Sequence, residues 1–278
     1  MKIISYSDIH LEHAKDLRPP QDTDADLMIL SGDILNIRRP VPLRDFLAGW
    51  NRPVIYVPGN HEYYNDDAAQ DAAQSRTMAA ELSAFRTWLG DNLPQVVLLD
   101  DAAVEIDGVH FFGGTMWTDY AGGDETAMTI AAQHMHDYRR IYTAPGTVMV
   151  PADTLPLHAA FRDKLIAWLE TPMDGPRVVI THHAPALNPL SAYDDSPIIA
   201  GFNSLDMLPV IQTYKPDFWF YGHTHECDRQ VIGTTRLVSN QLGYKKRADG
   251  DYECAESFDP LGAPVEVPAA INALRQAV

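Results

Sequence analysis

Five short fragments of this 278-residue sequence carry side chains that could do metal chemistry. They are Asp8-Ile9-His10, Gly32-Asp33, Gly59-Asn60-His61-Glu62, His182-His183 and Gly222-His223-Thr224-His225. Each alone has a plain structural meaning. Gly-Asn tolerates left-handed turns, Gly-Asp can start a helix, and a lone strand-end histidine is more often a satisfied polar residue than a ligand. Their order changes that, because every fragment stands at the end of an apolar run. The donors are carboxylate, imidazole and amide, and cysteine takes no part. That set suits Mn, Fe, Zn, Ni or Co rather than a thiolate-held structural zinc. Even counting one of the two adjacent histidines and leaving out His61 and Glu62, seven such donors exceed what one ion takes. A two-metal site, with ions ~3.5–4 Å apart, needs one carboxylate to bridge them.

The runs that must position these groups are residues 2–7, 26–31, 53–58, 177–182 and 217–222. Further runs lie at 95–99, 109–115 and 231–240. Being short and apolar throughout, they predict strands buried on both faces. Between them, residues 67–89 place Met78, Leu82, Phe85 and Leu89 on one helical face. Residues 157–170 do the same with Phe161, Leu165, Trp168 and Leu169, and Pro172 and Gly175 then stop the helix. Strands alternating with helices predict an α/β fold, in which ligands bind beyond the carboxyl ends of the strands. Residues 118–156 are less regular and are expected to form an insertion, a lid over one end of the sheet. It carries His134 and His136, which are not expected as ligands, and the cluster Asp137-Tyr138-Arg139-Arg140. A Pro-rich extension begins near residue 257. Trp117 and Trp219 are expected in the core, and Arg38 and Arg39 as a solvated loop pair.

Composition narrows the partners. The formal charge is −17, which repels nucleic acid and anionic membranes at long range. A small anionic substrate remains compatible, because bound cations would dominate the local field. The two cysteines, Cys227 and Cys254, lack C-x-x-C spacing, so a reducing compartment is expected. The first residues hold one Lys and a short apolar stretch, unlike a signal peptide, and no run reaches transmembrane length. A cytoplasmic location, no long nucleic acid and no membrane are the expectations, and a small anionic substrate is allowed.

Taken in order, D-x-H, GD, GNHE, H and GHxH resemble the blocks of the calcineurin-like metallophosphoesterases, and they span residues 8 to 225. The resemblance implies a four-layer α-β-β-α sandwich of two mixed sheets, one domain over residues 1–278, with a dinuclear metal site at the C-terminal strand ends. It implies that Asp8, His10 and His225 hold one ion and that Asn60, His182 and His223 hold the other. Asp33 would bridge the two, together with a water or hydroxide that attacks phosphorus in line. His61 would protonate the leaving oxygen. His182 is preferred over His183 because it stands first at the strand end, matching the family's ligand histidine.

The sequence also departs from one branch of that family. Serine/threonine phosphatases continue the second block as GDxxDRG and place an Arg before GNHE. Here the block runs Gly32-Asp33-Ile34-Leu35-Asn36-Ile37, and Val57-Pro58 precede Gly59. A dianionic monoester gains most from bidentate arginine, so its loss leans the reading toward a monoanionic diester. The alternative is a phosphomonoesterase or nucleotide phosphatase on the same site. A non-catalytic binding scaffold would be expected to lose ligands, and the set is intact. Asn36 also stands where the family's usual partner for the proton-donating histidine would be an Asp.

Overall fold

The computed structural model describes residues 1–14, 16–65, 76–187, 195–244 and 258–268. Side chains alternate across a strand, so a run apolar at every position needs cover on both faces. The parallel strands β1 (Lys2–Tyr6), β2 (Leu27–Ser31), β3 (Val54–Val57) and β4 (Val96–Leu98) form most of a first sheet. A second sheet contains β5 (Ala102–Ile106) and β6 (Val109–Gly114). A small hairpin, β7 (Tyr142–Ala144) and β8 (Thr147–Val148), stands apart. The second sheet resumes with β9 (Arg177–Thr181), β10 (Phe218–Phe220), β11 (Arg229–Ile232) and β12 (Thr235–Val238). Finally β13 (Val265–Glu266) returns to pair antiparallel with β1. The orders are β13-β1-β2-β3-β4 and β11-β12-β10-β9-β6-β5. Both sheets are mixed, since β13 in the first, and β5 and β11 in the second, are antiparallel to their neighbours.

The helices are α1 (Val41–Phe46), α2 (Met78–Asn92), α3 (Tyr120–Gly123), α4 (Glu125–His134), α5 (Asp137–Arg140), α6 (Thr154–Glu170) and α7 (Met207–Tyr214). Three apolar cores separate four layers. Between the sheets, Ile3, Ile29 and Ile55 meet Phe111, Ile180 and Phe220. On the outer face of the first sheet, Tyr6, Leu30 and Tyr56 are covered by Phe46 of α1 and by Leu82 and Phe85 of α2. On the outer face of the second, Phe112, Val179 and Trp219 are covered by Phe161 and Leu165 of α6 and Ile211 of α7. The four-layer sandwich expected from the sequence is the observed one. Trp219 and Trp117 both lie in cores. No helix among the described residues is long and apolar enough to cross a membrane.

Several boundaries differ from the sequence expectation, each for a local reason. Residues 231–240 are not one strand. Gly233 takes a positive φ of 62° and reverses the chain, making the hairpin of β11 and β12. Strand β5 alternates half-buried and exposed positions, so it has no continuous apolar run to mark it. Helix α2 starts at Met78, where the Thr77 side chain accepts the Ala80 N–H at 3.2 Å. The expected stretch 67–75 lies outside the described residues. Arg38 is not a solvated loop residue: its Nε is 3.0 Å from Oε1 of Glu81, which α2 buries to 2% exposure. The segment 118–156 forms α3 to α5 and the β7–β8 hairpin, with its own small core of Tyr120, Ala127, Ala131 and Met135.

Two buried groups tie the layers to the strand ends. Glu62, in a 3-10 turn after β3, is fully buried. Its Oε2 accepts the N–H groups of Asp33 and Gly59 at 2.9 and 2.8 Å. Its Oε1 accepts the Ile34 N–H at 2.8 Å and the Tyr56 hydroxyl at 2.6 Å. His158, on α6, lies with Nδ1 2.5 Å from the Trp117 carbonyl and Nε2 2.9 Å from Asp206 Oδ2. Arg162 and Asp119 also face this pair. Burial works against the charged imidazole, but the Asp206 hydrogen bond and charge outweigh it and raise its pKa.

Each buried donor left without an acceptor costs ~1–3 kcal/mol, so Glu62→Gln is expected to destabilise the chain by about 2–4 kcal/mol. A urea unfolding curve that barely moves would contradict this role. For His158 the sign follows from its raised pKa. The stability it contributes is fully present below the ordinary histidine value of about 6.5 and is lost as pH rises through the raised folded value. His158→Gln should therefore cost more at pH about 6 than at pH about 9 in paired unfolding experiments. An equal cost at both would mean that the imidazole is neutral throughout.

Candidate metal centre

The fragments singled out in the sequence come together at one edge of the sandwich, where β1, β2, β3, β9 and β10 end. Asp8, His10, Asp33 and His225 each present a donor atom within 4.8 Å of the others. Asp33, His182 and His223 form a second such group, so Asp33 belongs to both. Asn60 joins the second group: its Oδ1 is 2.9 Å from His182 Nε2, which is itself 3.1 Å from His223 Nδ1. His183 belongs to neither group: its Nδ1 lies 3.1 Å from the Thr115 carbonyl, and its ring centre packs 4.2 Å from that of His223. His134 and His136 belong to no ligand group among the described residues. They line the cavity beside the site.

The backbone at these positions is unusual. Asp8, His10, Asp33, His223 and His225 all adopt positive φ, between 40° and 72°. A non-glycine residue there costs about 1–3 kcal/mol, and such residues gather where function requires them. Two glycines make the geometry possible. A Cβ on Gly59 would stand 2.2 Å from Asp33 Oδ1, and one on Gly222 would stand 1.8 Å from Ser7 Oγ. The loops are held by side chains as well. Asp8 accepts the His223 N–H and the Ser7 hydroxyl. Gln241 Oε1 accepts the His225 N–H at 2.6 Å, and its Nε2 donates to Thr224 Oγ1 and the Glu226 carbonyl at 2.9 Å.

The electrostatics fit a cation. Burial, then the charges of Glu62 and Asp8, push the Asp33 carboxyl well above the usual carboxylate range. Burial, reinforced by neighbouring imidazoles, lowers His10 and His223, and burial also lowers His182. Neutral imidazole is the form that ligates. Among the described residues, both ring nitrogens of His10 and Nε2 of His223 are buried without a hydrogen-bond partner. Unpartnered buried nitrogens are costly, and a metal ion is the partner that carboxylates and neutral imidazoles around a shared Asp fit. The site residues are thus compatible with metal on both sides of Asp33.

His61 sits beside this cluster. Its N–H donates to Asp33 Oδ1 at 2.9 Å, and its ring centre is 4.6 Å from that of His10. Its Nε2 is 3.1 Å from the Tyr244 hydroxyl, and its Nδ1 is 3.5 Å from Glu12 Oε1. Asn36 does not partner it. The Asn36 amide donates to the Tyr64 carbonyl at 2.6 Å and accepts the Arg38 N–H at 3.0 Å. Among the described residues, Glu12 is the carboxylate that stands beside the His61 Nδ1. Tyr244 also stacks on His10, with ring centres 4.5 Å apart and planes at 17°. The sequence reading missed Glu12 and the anchoring role of Glu62. The signals were an acid four residues after Asp8 and the Glu that completes GNHE. Alongside the cluster opens a cavity of about 720 Å³, with an apolar wall of Ile130, Met135, Ile198 and Phe202.

Comparison with known proteins agrees with this geometry. An uncharacterized protein, L509, of Acanthamoeba polyphaga mimivirus is 26% identical over 204 residues, covering 69% of this chain and 68% of its own. Among solved structures, the phosphopantetheinyl hydrolase PptH from Mycobacterium tuberculosis superposes with a TM-score of 0.63. It is 20% identical, and the match covers 87% of this chain and 89% of that one, a likeness of fold. The family model described as calcineurin-like phosphoesterase matches residues 1–227. The chain therefore belongs to the calcineurin-like phosphoesterase family and is a metal-dependent hydrolase of phosphoric esters.

Proposed function

We propose that the chain is a phosphodiesterase acting on a small monoanionic diester at a two-metal site. The observation that carries the two-metal part is Asp33, shared by two groups of donors within ligand reach. Asp8, His10 and His225 hold one ion in this reading, Asn60, His182 and His223 hold the other, and Asp33 lies between. A metal pair so held supplies a water acidic enough to act as nucleophile near neutral pH and neutralises charge on the phosphoryl oxygens. The residues do the rest. His61, at the cavity wall, gives a proton to the leaving oxygen, and Glu12 beside Nδ1 keeps the ring turned for that task. The Tyr244 hydroxyl at Nε2 marks where the leaving oxygen is received.

The diester preference rests on charge. None of the described residues lining the cavity is Lys or Arg. Arg38, close in sequence to the second block, is committed to Glu81. A dianionic monoester or a polyphosphate chain would find no guanidinium there, whereas a monoanion needs it less. The apolar wall suits an uncharged, partly apolar arm on one side of the phosphorus. The likeness to a phosphopantetheinyl hydrolase adds a phosphopantetheinyl ester to the substrates worth trying. Long nucleic acid is disfavoured by the net charge of −17. A cytoplasmic location is part of the proposal and rests on the two cysteines, which lack the spacing of a disulfide framework or a C-x-x-C motif.

The test is a substrate panel on chelator-treated protein reloaded with Mn²⁺. Bis(p-nitrophenyl) phosphate should turn over faster than p-nitrophenyl phosphate, and chelator should abolish both. A faster monoester would overturn the diester preference, and activity untouched by chelator would overturn the metal reading. His61→Ala should keep its metal content and lose on the order of 10²–10⁴ in rate on an alkyl ester. The loss should be much smaller when the leaving group is p-nitrophenolate. Equal losses on both leaving groups would remove His61 from the proton-donor role.

A further inference from the structure

The turn α5 (Asp137–Arg140) belongs to the segment between β6 and β9, remote in sequence from Asn60. Yet Asp137 is 1% exposed and touches the second donor group. Its Oδ1 accepts the Asn60 Nδ2–H at 2.7 Å and the Tyr64 hydroxyl at 2.6 Å. Tyr64 is also 3.2 Å from Asn60 Nδ2, which donates to its hydroxyl oxygen. The turn is clipped to the same loop through the backbone. The Asn65 N–H and side-chain amide both donate to the Arg140 carbonyl, at 2.8 and 3.2 Å.

An asparagine amide has a donor end and an acceptor end, and they look alike in outline. A cation takes the oxygen and repels the NH₂ group. Asp137 Oδ1 faces Asn60 as an acceptor, as it does the Tyr64 hydroxyl, so it is met only by the NH₂ end. That fixes Asn60 with Oδ1 turned toward His182 Nε2, 2.9 Å away. We propose that Asp137 is a positioning residue for Asn60, selecting the amide orientation that can ligate a metal. The segment 118–156 is then a working part of the metal centre, not only a cover for it. This inference rests on the two-metal reading given above.

The test reads metal rather than turnover. The full chain is stripped with chelator and titrated with Mn²⁺, following sites by calorimetry and the coupled-pair signal by electron paramagnetic resonance. The unchanged chain should bind two equivalents. Asp137→Ala should weaken one site about 10–100-fold and leave the other near its original affinity. Asp137→Asn keeps an acceptor oxygen and should recover most of the loss. A loss as large in Asp137→Asn as in Asp137→Ala would make Asp137 a ligand itself and overturn the positioning role. Wild-type affinity in Asp137→Ala, or both sites weakened alike, would also overturn it.

An exchange of size-matched groups guards against a variant that fails to fold. Asn60→Asp alone sets two carboxylates against each other and should weaken one site. Combining it with Asp137→Asn restores the hydrogen bond with donor and acceptor exchanged, and should recover about tenfold in affinity. A double variant no better than Asn60→Asp would reject the proposal. An unchanged chain that binds only one ion would instead reject the two-metal reading on which the proposal stands.

Discussion

Glu62 is buried and accepts the amide hydrogens that β2 and β3 leave unused where they stop. Parallel strands that end at an open edge leave such groups orphaned, and orphaned groups in a dry environment are costly. One carboxylate satisfies both loops at once. Freed from the ladder, the loops can leave strand geometry, and Asp33 reaches a φ of 53°. The Tyr56 hydroxyl from β3 holds the same carboxylate from below. Asp33 Oδ1 then accepts the His61 N–H, which closes the arrangement. The positions of Asp33, Asn60 and His61 relative to one another therefore follow from a group that need touch neither metal nor substrate.

The second half of the site is built differently. Asp8 is both a member of the donor cluster and the acceptor for the His223 N–H. Its carboxylate cannot move without disturbing the loop after β10. Gln241 supplies the remaining support from the segment after β12, which pairs with the end of β1 through the Leu242 N–H and the Ser7 carbonyl at 3.1 Å. Five left-handed residues, at about 1–3 kcal/mol each, amount to several kcal/mol of local strain. Such strain persists only where the surroundings over-determine it. Here those surroundings are two sheets locked face to face by fully buried Ile, Val and Phe.

How legible this was in the sequence depends on where the information lies. The central strands were plain, because burial on both faces writes itself as an unbroken apolar run. Strand β5 is covered on one side and left no such mark. The five donor blocks were legible because each carries its chemistry at a strand end. Their supports were not. Glu12 meets His61 across 49 residues of chain, and Asp137 meets Asn60 across 77. Nothing local to either residue announces the partner. The sequence pointed to Asn36 as the residue that leaves His61 unsupported, and the structure shows that Asn36 serves its own turn while Glu12 stands by the imidazole.

Charge joins these features to substrate choice. Asp8, Asp33, Glu12 and Asp137 crowd one end of a chain that is already acidic. Without cations such a pocket repels any phosphate. Cations held on the proposed donors reverse the sign only locally, because their field must first offset the carboxylates that bind them. In the proposed reading, the surplus left for substrate is small. One negative charge on a diester can be matched by it, while a second, without a guanidinium among the described lining residues, would sit against acidic walls. On the proposed reading, the same carboxylates that make the centre a good home for metal argue for a weakly charged substrate, with the apolar wall of Ile130, Met135, Ile198 and Phe202 left to hold its uncharged arm.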